Sequence, residues 1–450
     1  MGPVDVAIVG GGASGTLVAA QLLRQARTAL RIVLLERSGA VARGLAYGPA
    51  EPCHLLNVPA SGMSAWPDDP DDFVRWSGAA PDAFVPRSVY GAYLEAVLTR
   101  AHSGAAPGVS FHLVCGEAVS ASLDGGTVCI ELEDGRRIAS ATAVLALGNF
   151  ASCDLAVDDG GLYSSALYRR SPWERGALDG IPAGEAVVLL GTGLTMVDAV
   201  LALQRRGHRG RIHALSRHGL LPQVHGGTPG PAQPHIGATG VRGLLRALRA
   251  CALGTGDWRS PLDALRPLTQ RIWRRLPDAE RLRFLRHLRT HWDVHRHRMA
   301  PEVAAGLARA RSRGQLLVHA GRIESFAVQG GHALARYRPR GERTARELRG
   351  ARIVNCTGPA WRLADARNAL VDSLLERRLA VPDSLGMGLA ADGDGALLGA
   401  GGGRLLTLGA LRRGELWEST AIPELRAQAH AVASRIVADL EAALPAEATL

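Results

Sequence analysis

The sequence predicts an α/β fold with two parallel-sheet units, and three observations predict it. An apolar run, Val4–Val9, leads into a glycine cluster and then into residues with apolar positions at helical spacing. The same order of strand, glycine turn and helix returns over residues 186–205, about 180 residues later. Each helix is followed by another short apolar run, 31–35 and 211–215, which completes a βαβ unit. Strands covered on both faces read as continuous apolar runs, and these four do.

In chain order, the first strand leads to a helix over 14–26, with Leu17, Val18, Ala20 and Leu22 on its apolar side, and to the second strand at 31–35. Residues 40–86 are rich in Pro, Asp and Gly and read as loop. Residues 109–114, 128–132 and 142–147 read as strands, the last ending at Gly148. A polar connection over 154–184 precedes the second unit. A Gly/Pro loop at 225–234 follows it, then an arginine-rich helical stretch over roughly 241–313. Strands resume at 316–318 and Arg352–Asn355, and a last helix covers 422–444.

Composition narrows the chemistry. The 450 residues allow two to three domains, and 47% hydrophobic with 21% charged residues suits a soluble chain with ample core. All 52 basic residues are arginine, against 42 acids, for a net charge of +10. Without lysine there is no Schiff-base nucleophile, no P-loop and no kinase β3 lysine. The positive charge reads as arginine-biased composition, so neither a nucleic-acid nor a membrane partner is expected. Six cysteines, at 53, 115, 129, 153, 251 and 356, form no C-x-x-C pair, which gives no support to a disulfide framework, a zinc ribbon or a redox dithiol. The start of the chain has no basic segment followed by a long apolar one, and the most apolar stretch, 186–203, is broken by Gly191, Gly193 and Asp198. A reducing, cytoplasmic location is expected.

The first glycine cluster carries specific chemistry. Gly10, Gly12 and Gly15 fit G-x-G-x-x-G between a strand and a helix. Gly10 serves the tight turn, Gly12 lets backbone approach a pyrophosphate, and Gly15 allows close helix–strand packing. The phosphates then meet amides at the helix start, including those of Ala13 and Ser14. Glu36, 21 residues after Gly15, stands where an acid binds ribose hydroxyls, with Arg37 beside it.

The second cluster, Gly191-Thr192-Gly193-Leu194-Thr195-Met196, repeats the turn but places Met196 at the third glycine position. Its next strand ends in Ser216-Arg217 instead of an acid. Losing the acid removes repulsion against a 2′-phosphate, and Arg217 supplies a two-pronged donor, which favours NADPH over NADH.

Together these segments make the chain resemble two-dinucleotide-binding-domain flavoproteins, and more narrowly a bacterial group of FAD/NAD(P)-binding proteins related to flavin-containing and N-hydroxylating monooxygenases. The resemblance is carried by GGGASG at 10–15, LNVPASGMSAWPDDPDDFVRW at 56–76, GTGLTMVD at 191–198, SRHGLLP at 216–222, WDVHRHRMAPE at 292–302, NCTGP at 355–359 and GELWESTAIPELR at 414–426. It implies two Rossmann-like domains: FAD in residues 1–160 and 350–450, and NAD(P)H in an inserted domain at 161–349 that carries a helical insert at about 236–313. Asn57 would then lie near the flavin. Val119, Gly148, Thr195, Gly358, Gly409, Glu418 and Thr420 complete the expected cofactor contacts.

Residues 271–298 hold nine arginines and four histidines against three acids. Phe284, Leu288, Trp292 and His295 form one helical stripe, and His287, His291 and His295 recur every four residues. No thiolate or carboxylate stands in register with them, so a metal is not expected. The resemblance turns Trp292, His295, Arg296 and Arg298 toward the flavin or an anionic substrate.

The function expected from these readings is an FAD- and NADPH-dependent monooxygenase, with NADH as a possible alternative coenzyme. It would hydroxylate a small nucleophilic substrate with dioxygen through a flavin C4a-hydroperoxide, with Asn57, His54 and His295 as catalytic candidates. The alternatives are a reductase passing electrons to a quinone or protein partner, and a non-catalytic FAD-binding regulatory protein.

Overall fold

The structure, a computed structural model, describes residues 2–48, 50–226 and 240–443. Among these, strands assemble into two seven-stranded sheets. The first contains β1 (Val4–Val9), β2 (Leu30–Glu36), β3 (Val109–Cys115), β4 (Ala118–Asp124), β5 (Thr127–Leu132) and β6 (Arg137–Leu145). The second contains β7 (Tyr168–Arg169), β8 (Val187–Leu190), β9 (Ile212–Ser216), β10 (Leu316–Gln329), β11 (His332–Pro339), β12 (Arg346–Gly350) and β13 (Arg352–Asn355). The chain then returns to the first sheet, where β14 (Leu405–Thr407) pairs with β6.

The orders are β3-β2-β1-β6-β5-β4, with β14 on β6, and β12-β11-β10-β9-β8-β13-β7. Parallel pairing dominates around both glycine turns, with antiparallel hairpins at the edges. This is the expected α/β architecture, one parallel-sheet unit set inside another. β13 pairs with β7 and β8, so the second sheet extends to Asn355.

Burial explains these strands. In β1 only Asp5 is partly exposed, and its carboxylate accepts the Arg31 amide at 2.7 Å. Three strands follow less obvious patterns. β11 buries Ala333, Leu334 and Ala335 in succession, then alternates exposed Arg336 and Arg338 with buried Tyr337 and Pro339. Only this second half has the period of two of a half-covered strand, and its arginines hide the strand in the sequence. β4 and β12 were not anticipated either, and β10 runs well past the expected 316–318.

Helices α1 (Ala13–Gln25), α2 (Gly44–Tyr47), α3 (Asp72–Ser77) and α4 (Arg87–Ser103) share the core on one face of the first sheet with the final helix, α13 (Ile422–Ala443). In the second unit α5 (Leu194–Arg205) and α11 (Pro301–Ser312) cover one face. Between them come α6 (Val241–Thr255), α7 (Arg259–Leu265), α8 (Thr269–Arg275), α9 (Asp278–His287) and α10 (Arg289–Arg296), and α12 (Ala369–Glu376) backs β4. The expected loop at 225–234 and the start of the insert at 236 lie largely outside the described residues. Pro277 and Leu288 interrupt the arginine-rich stretch, and His287 ends a different helix from His291 and His295. Phe284, Leu288 and Trp292 of the predicted stripe still pack in one cluster. Among the described residues no helix is long and apolar enough to cross a membrane.

The insert closes against the end of the chain. Trp273, Phe284 and Trp292 join Trp361, Met387 and Trp417 in one cluster, with Trp273 stacked on Trp417 at 5.0 Å. The two units are also tied directly. Arg87 of α4 reaches Asp198 of α5 at 2.8 Å, with the two side chains only 16% and 7% exposed. Asn355 joins the two chain crossings by donating to the Cys153 carbonyl at 2.9 Å.

Candidate FAD and coenzyme site

The first turn is shaped by atoms that leave no room for a side chain. Gly10 has φ +103°, and a Cβ there would lie 2.4 Å from the Ala146 carbonyl oxygen. A Cβ on Gly15 would lie 1.9 Å from the Gly10 carbonyl oxygen. α1 starts after Gly12 with no side-chain cap and no acid in its first turn, leaving its leading amides for an anion. The Glu36 carboxylate accepts Gly11 N at 2.7 Å and Ser38 N and Oγ at 3.0 and 2.8 Å, which aims it beside the turn. The Cys115 end of β3 runs next to Glu36, and Val119 sits at the irregularity opening β4. Arg37 is exposed and pairs only with Glu117, at 3.4 Å.

The C-terminal segment completes this cradle. Gly409, with φ +74°, lies beside Ser14, 3.5 Å from its Oγ to the position of an added Cβ. Gly409 N donates to Gln428 Oε1 at 3.0 Å, and Gln428 Nε2 donates to the Ser419 carbonyl at 2.9 Å. Ser419 is 1% exposed and its hydroxyl has no partner among the described residues. A buried hydroxyl left unpaired costs about 1–3 kcal/mol, so this is a group that a bound cofactor would satisfy. Open amides, a fixed acid and an unspent hydroxyl fit FAD. Thr420 is exposed just before α13.

The second turn follows the same logic with one change. Gly191 has φ +111°, and its Cβ would meet the Cys356 carbonyl at 2.5 Å. Around Gly193, by contrast, nothing lies within 4 Å of an added Cβ, and α5 begins uncapped with Thr195 in its first turn. Met196 is fully buried against Leu189 and Val200, so a packed side chain takes the place of the close glycine contact. Thr192 Oγ1 donates to the Leu220 carbonyl at 2.6 Å, which leaves Ser216 Oγ to donate to Thr192 at 2.9 Å and to accept Gly219 N. The Ser216 hydroxyl is thereby spent inside the turn. Arg217 is exposed and makes no hydrogen bond or ion pair among the described residues. Gly148 and Gly358, at the crossings, have φ of +67° and +86° with open space around them.

One face of α10 meets Glu418 of the return segment. Trp292 Nε1 donates to Glu418 Oε1 at 2.7 Å, Arg296 Nε lies 2.9 Å from Oε2, and His297 Nε2 is 3.6 Å from Oε1. Burial alone would raise this carboxyl; the charges of His297 and Arg296 and the Trp292 N–H outweigh it and hold it below the usual carboxylate range. A folded value below the unfolded one means that the node stabilises the fold above about pH 4.5 and loses that effect as pH falls through the folded value. Glu418→Gln is therefore expected to flatten the acid limb of thermal midpoint against pH; an unchanged limb would remove Glu418 as its source.

Comparison with known proteins now bears on this geometry. The family model described as FAD-NAD(P)-binding matches residues 7–150. No curated protein matches the sequence. Among solved structures, ornithine N-hydroxylase from Kutzneria sp. 744 is 16% identical, with 97% of this chain and 100% of that chain covered and a TM-score of 0.68. The cadaverine monooxygenase of the desferrioxamine pathway from Erwinia amylovora is 11% identical over 98% and 95%, TM-score 0.68. Thioredoxin reductase from Lactococcus lactis is 12% identical over 97% and 99%, TM-score 0.55. These likenesses establish the shared two-unit fold.

The remaining candidate residues have partners of their own. His54 is 2% exposed, with Nδ1 accepting Glu51 N at 3.0 Å and Nε2 3.2 Å from the Asp198 carbonyl. Nδ1 thus serves its own loop, and Nε2 reaches across to the second unit. His295 bonds the His291 carbonyl of its own helix and stands edge-on to Trp258 at 4.6 Å, away from Glu418. Arg298 pairs with Asp263 and lies over the same Trp258 ring. The Asn57 carbonyl is held by His225 Nε2 at 2.9 Å. His225, His297, Ser419 and Gln428 escaped sequence reasoning, because single polar residues in loops and helix ends carry no spacing signal.

Proposed function

We propose that this chain is an FAD-dependent oxidoreductase that takes electrons from NADPH and uses dioxygen to hydroxylate a small nucleophilic substrate. The observation that carries the reading is the pair of uncapped glycine turns, one in each parallel-sheet unit, joined by a helical insert whose Trp273, Phe284 and Trp292 pack on Trp361 and Trp417 of the return segment. An apolar layer of that kind would help to keep water from a bound flavin, which oxygen chemistry requires. FAD, when bound, supplies the redox chemistry. The chain's own residues grip its phosphates at Gly12–Gly15, fix a carboxylate at Glu36, and set Trp292, Arg296 and Glu418 around the reaction space, with Asn57 on the opposite loop. Resemblance in fold to ornithine and cadaverine hydroxylases supports this reading, and six free cysteines fit a reducing, cytoplasmic compartment.

Anaerobic mixing with NADPH followed by an oxygen pulse tests it. Flavin bleaching, then a transient absorbance distinct from both the oxidised and reduced forms, is expected. Bleaching without the transient would move the reading to a reductase serving a quinone or protein partner, and no bleaching to an FAD-binding protein without turnover. Arg217→Ala is expected to weaken NADPH binding about tenfold and leave NADH unchanged, as loss of one charge-assisted contact would. Equal loss for both coenzymes would take Arg217 off the 2′-phosphate.

A further inference from the structure

Arginine charge accumulates at one point between the two units without matching acid. The guanidinium carbons of Arg289 and Arg413 lie 4.4 and 4.5 Å from the centroid of the Trp361 ring. The hydrogen bonds of Arg413 run to Asn149 Oδ1 at 2.5 Å and the Ala360 carbonyl at 3.4 Å, both neutral, although its residue is 7% exposed. Arg289 makes no hydrogen bond among the described residues, and its nearest carboxylate, Asp293, stands 3.8 Å away. Asp293 is shared with His297 at 3.9 Å, and its Oδ1 accepts no hydrogen bond. Arg217 adds its field to Arg289 from the end of β9.

Arg289 and Arg413 thus share the field of one carboxylate, Asp293, while Arg217 adds further positive charge to Arg289. Burial lowers both inner arginines, Arg413 to about 10 with help from Arg289, and burial also raises Asp293, which weakens it as a counter-ion. Removing cations from water without partners is costly, and a ligand anion offsets that cost. The place suits a ligand. Asn149 and Trp361 flank the two chain crossings, and Arg217 borders the coenzyme turn.

We propose that Arg289 and Arg413, with Arg217 at the rim, form an oxyanion site on Trp361 that takes a phosphate or carboxylate of a ligand lying between the two units. Planar guanidiniums are suited to holding two oxygens of such a group at once. The proposal rests on the function above only for its two sources of anion, the 2′-phosphate of NADPH and an acid group on the substrate.

Calorimetric titration of the oxidised, FAD-loaded protein distinguishes them, using 2′,5′-ADP, adenosine 5′-monophosphate as the control lacking the 2′-phosphate, and glutarate as a carboxylate. Arg289→Ala is the test variant, since this side chain holds nothing in place by hydrogen bonds; Arg289→Lys checks that charge without the planar fork recovers only part of the effect. A 10- to 100-fold loss confined to 2′,5′-ADP assigns the site to coenzyme phosphate, and the same loss confined to glutarate assigns it to substrate. Either loss should shrink with added salt. Wild-type affinity for both probes in Arg289→Ala, or no binding of either probe to the wild type, overturns the site. Probe binding needs no electron transfer, so an intact site with a failed oxygen pulse would remove the monooxygenase reading alone.

Discussion

Gly15→Ala is expected to yield a protein that purifies without flavin and melts far below the wild type. The added carbon would sit 1.9 Å from the Gly10 carbonyl oxygen, backbone against backbone, with Ile8 Cγ2 at 3.2 Å behind it. No rotamer relieves such a contact, so α1 must retreat from β1 and open the core formed by Ile8, Leu17 and Val18. Overpacking of ordinary side chains costs about 1–3 kcal/mol, and a clash between main-chain atoms exceeds that. The flavin-to-protein absorbance ratio and the thermal midpoint measure it. Gly193→Ala is the matched control: with nothing within 4 Å, it should fold normally and fail only in coenzyme binding. A flavin-loaded Gly15→Ala of wild-type stability would refute the packing argument.

The second large effect is expected at the junction of the units. Asp198→Leu strands the Arg87 guanidinium, which is 16% exposed and otherwise donates from Nε to the Leu55 carbonyl at 3.2 Å. Breaking a buried ion pair from one side costs about 3–5 kcal/mol, whereas replacing both partners with apolar groups is often close to neutral. Arg87→Met combined with Asp198→Leu should therefore recover most of the lost stability. Denaturant midpoints for the two single variants and the double variant decide this, and additive losses would show that packing, not stranded charge, sets the cost.

What the sequence made legible follows the same physics. Gly10, Gly15 and Gly191 stand out because backbone contacts there exclude every other residue, and Glu36 because it follows them at a set distance. Met196 is equally readable, as the one departure from that rule. The insert was legible only in part. Phe284, Leu288 and Trp292 keep their spacing, because helical bonds continue through Leu288 to both neighbours. Trp292 and Arg296, four apart on α10, reach Glu418, whereas His295 stands against Trp258. Trp361, Arg413 and Ser419 come from irregular segments, where meaning depends on neighbours that only the fold brings together. β11 stayed hidden because Arg336 and Arg338 break the apolar run that marks a buried strand.

The order of the strands also sets an order of maturation. The inner sheet has all its strands once β13 ends at residue 355, whereas the outer sheet still lacks β14 and the α13 cover over α1. Domains fold as units while the chain emerges from the ribosome. The unit that begins second is thus finished first, and the glycine turn at the very start waits for residues beyond 405. A cradle that needs both ends of the chain is thus completed late in synthesis, and a ribosome stalled between those points would display a folded inner unit beside an unfinished outer one.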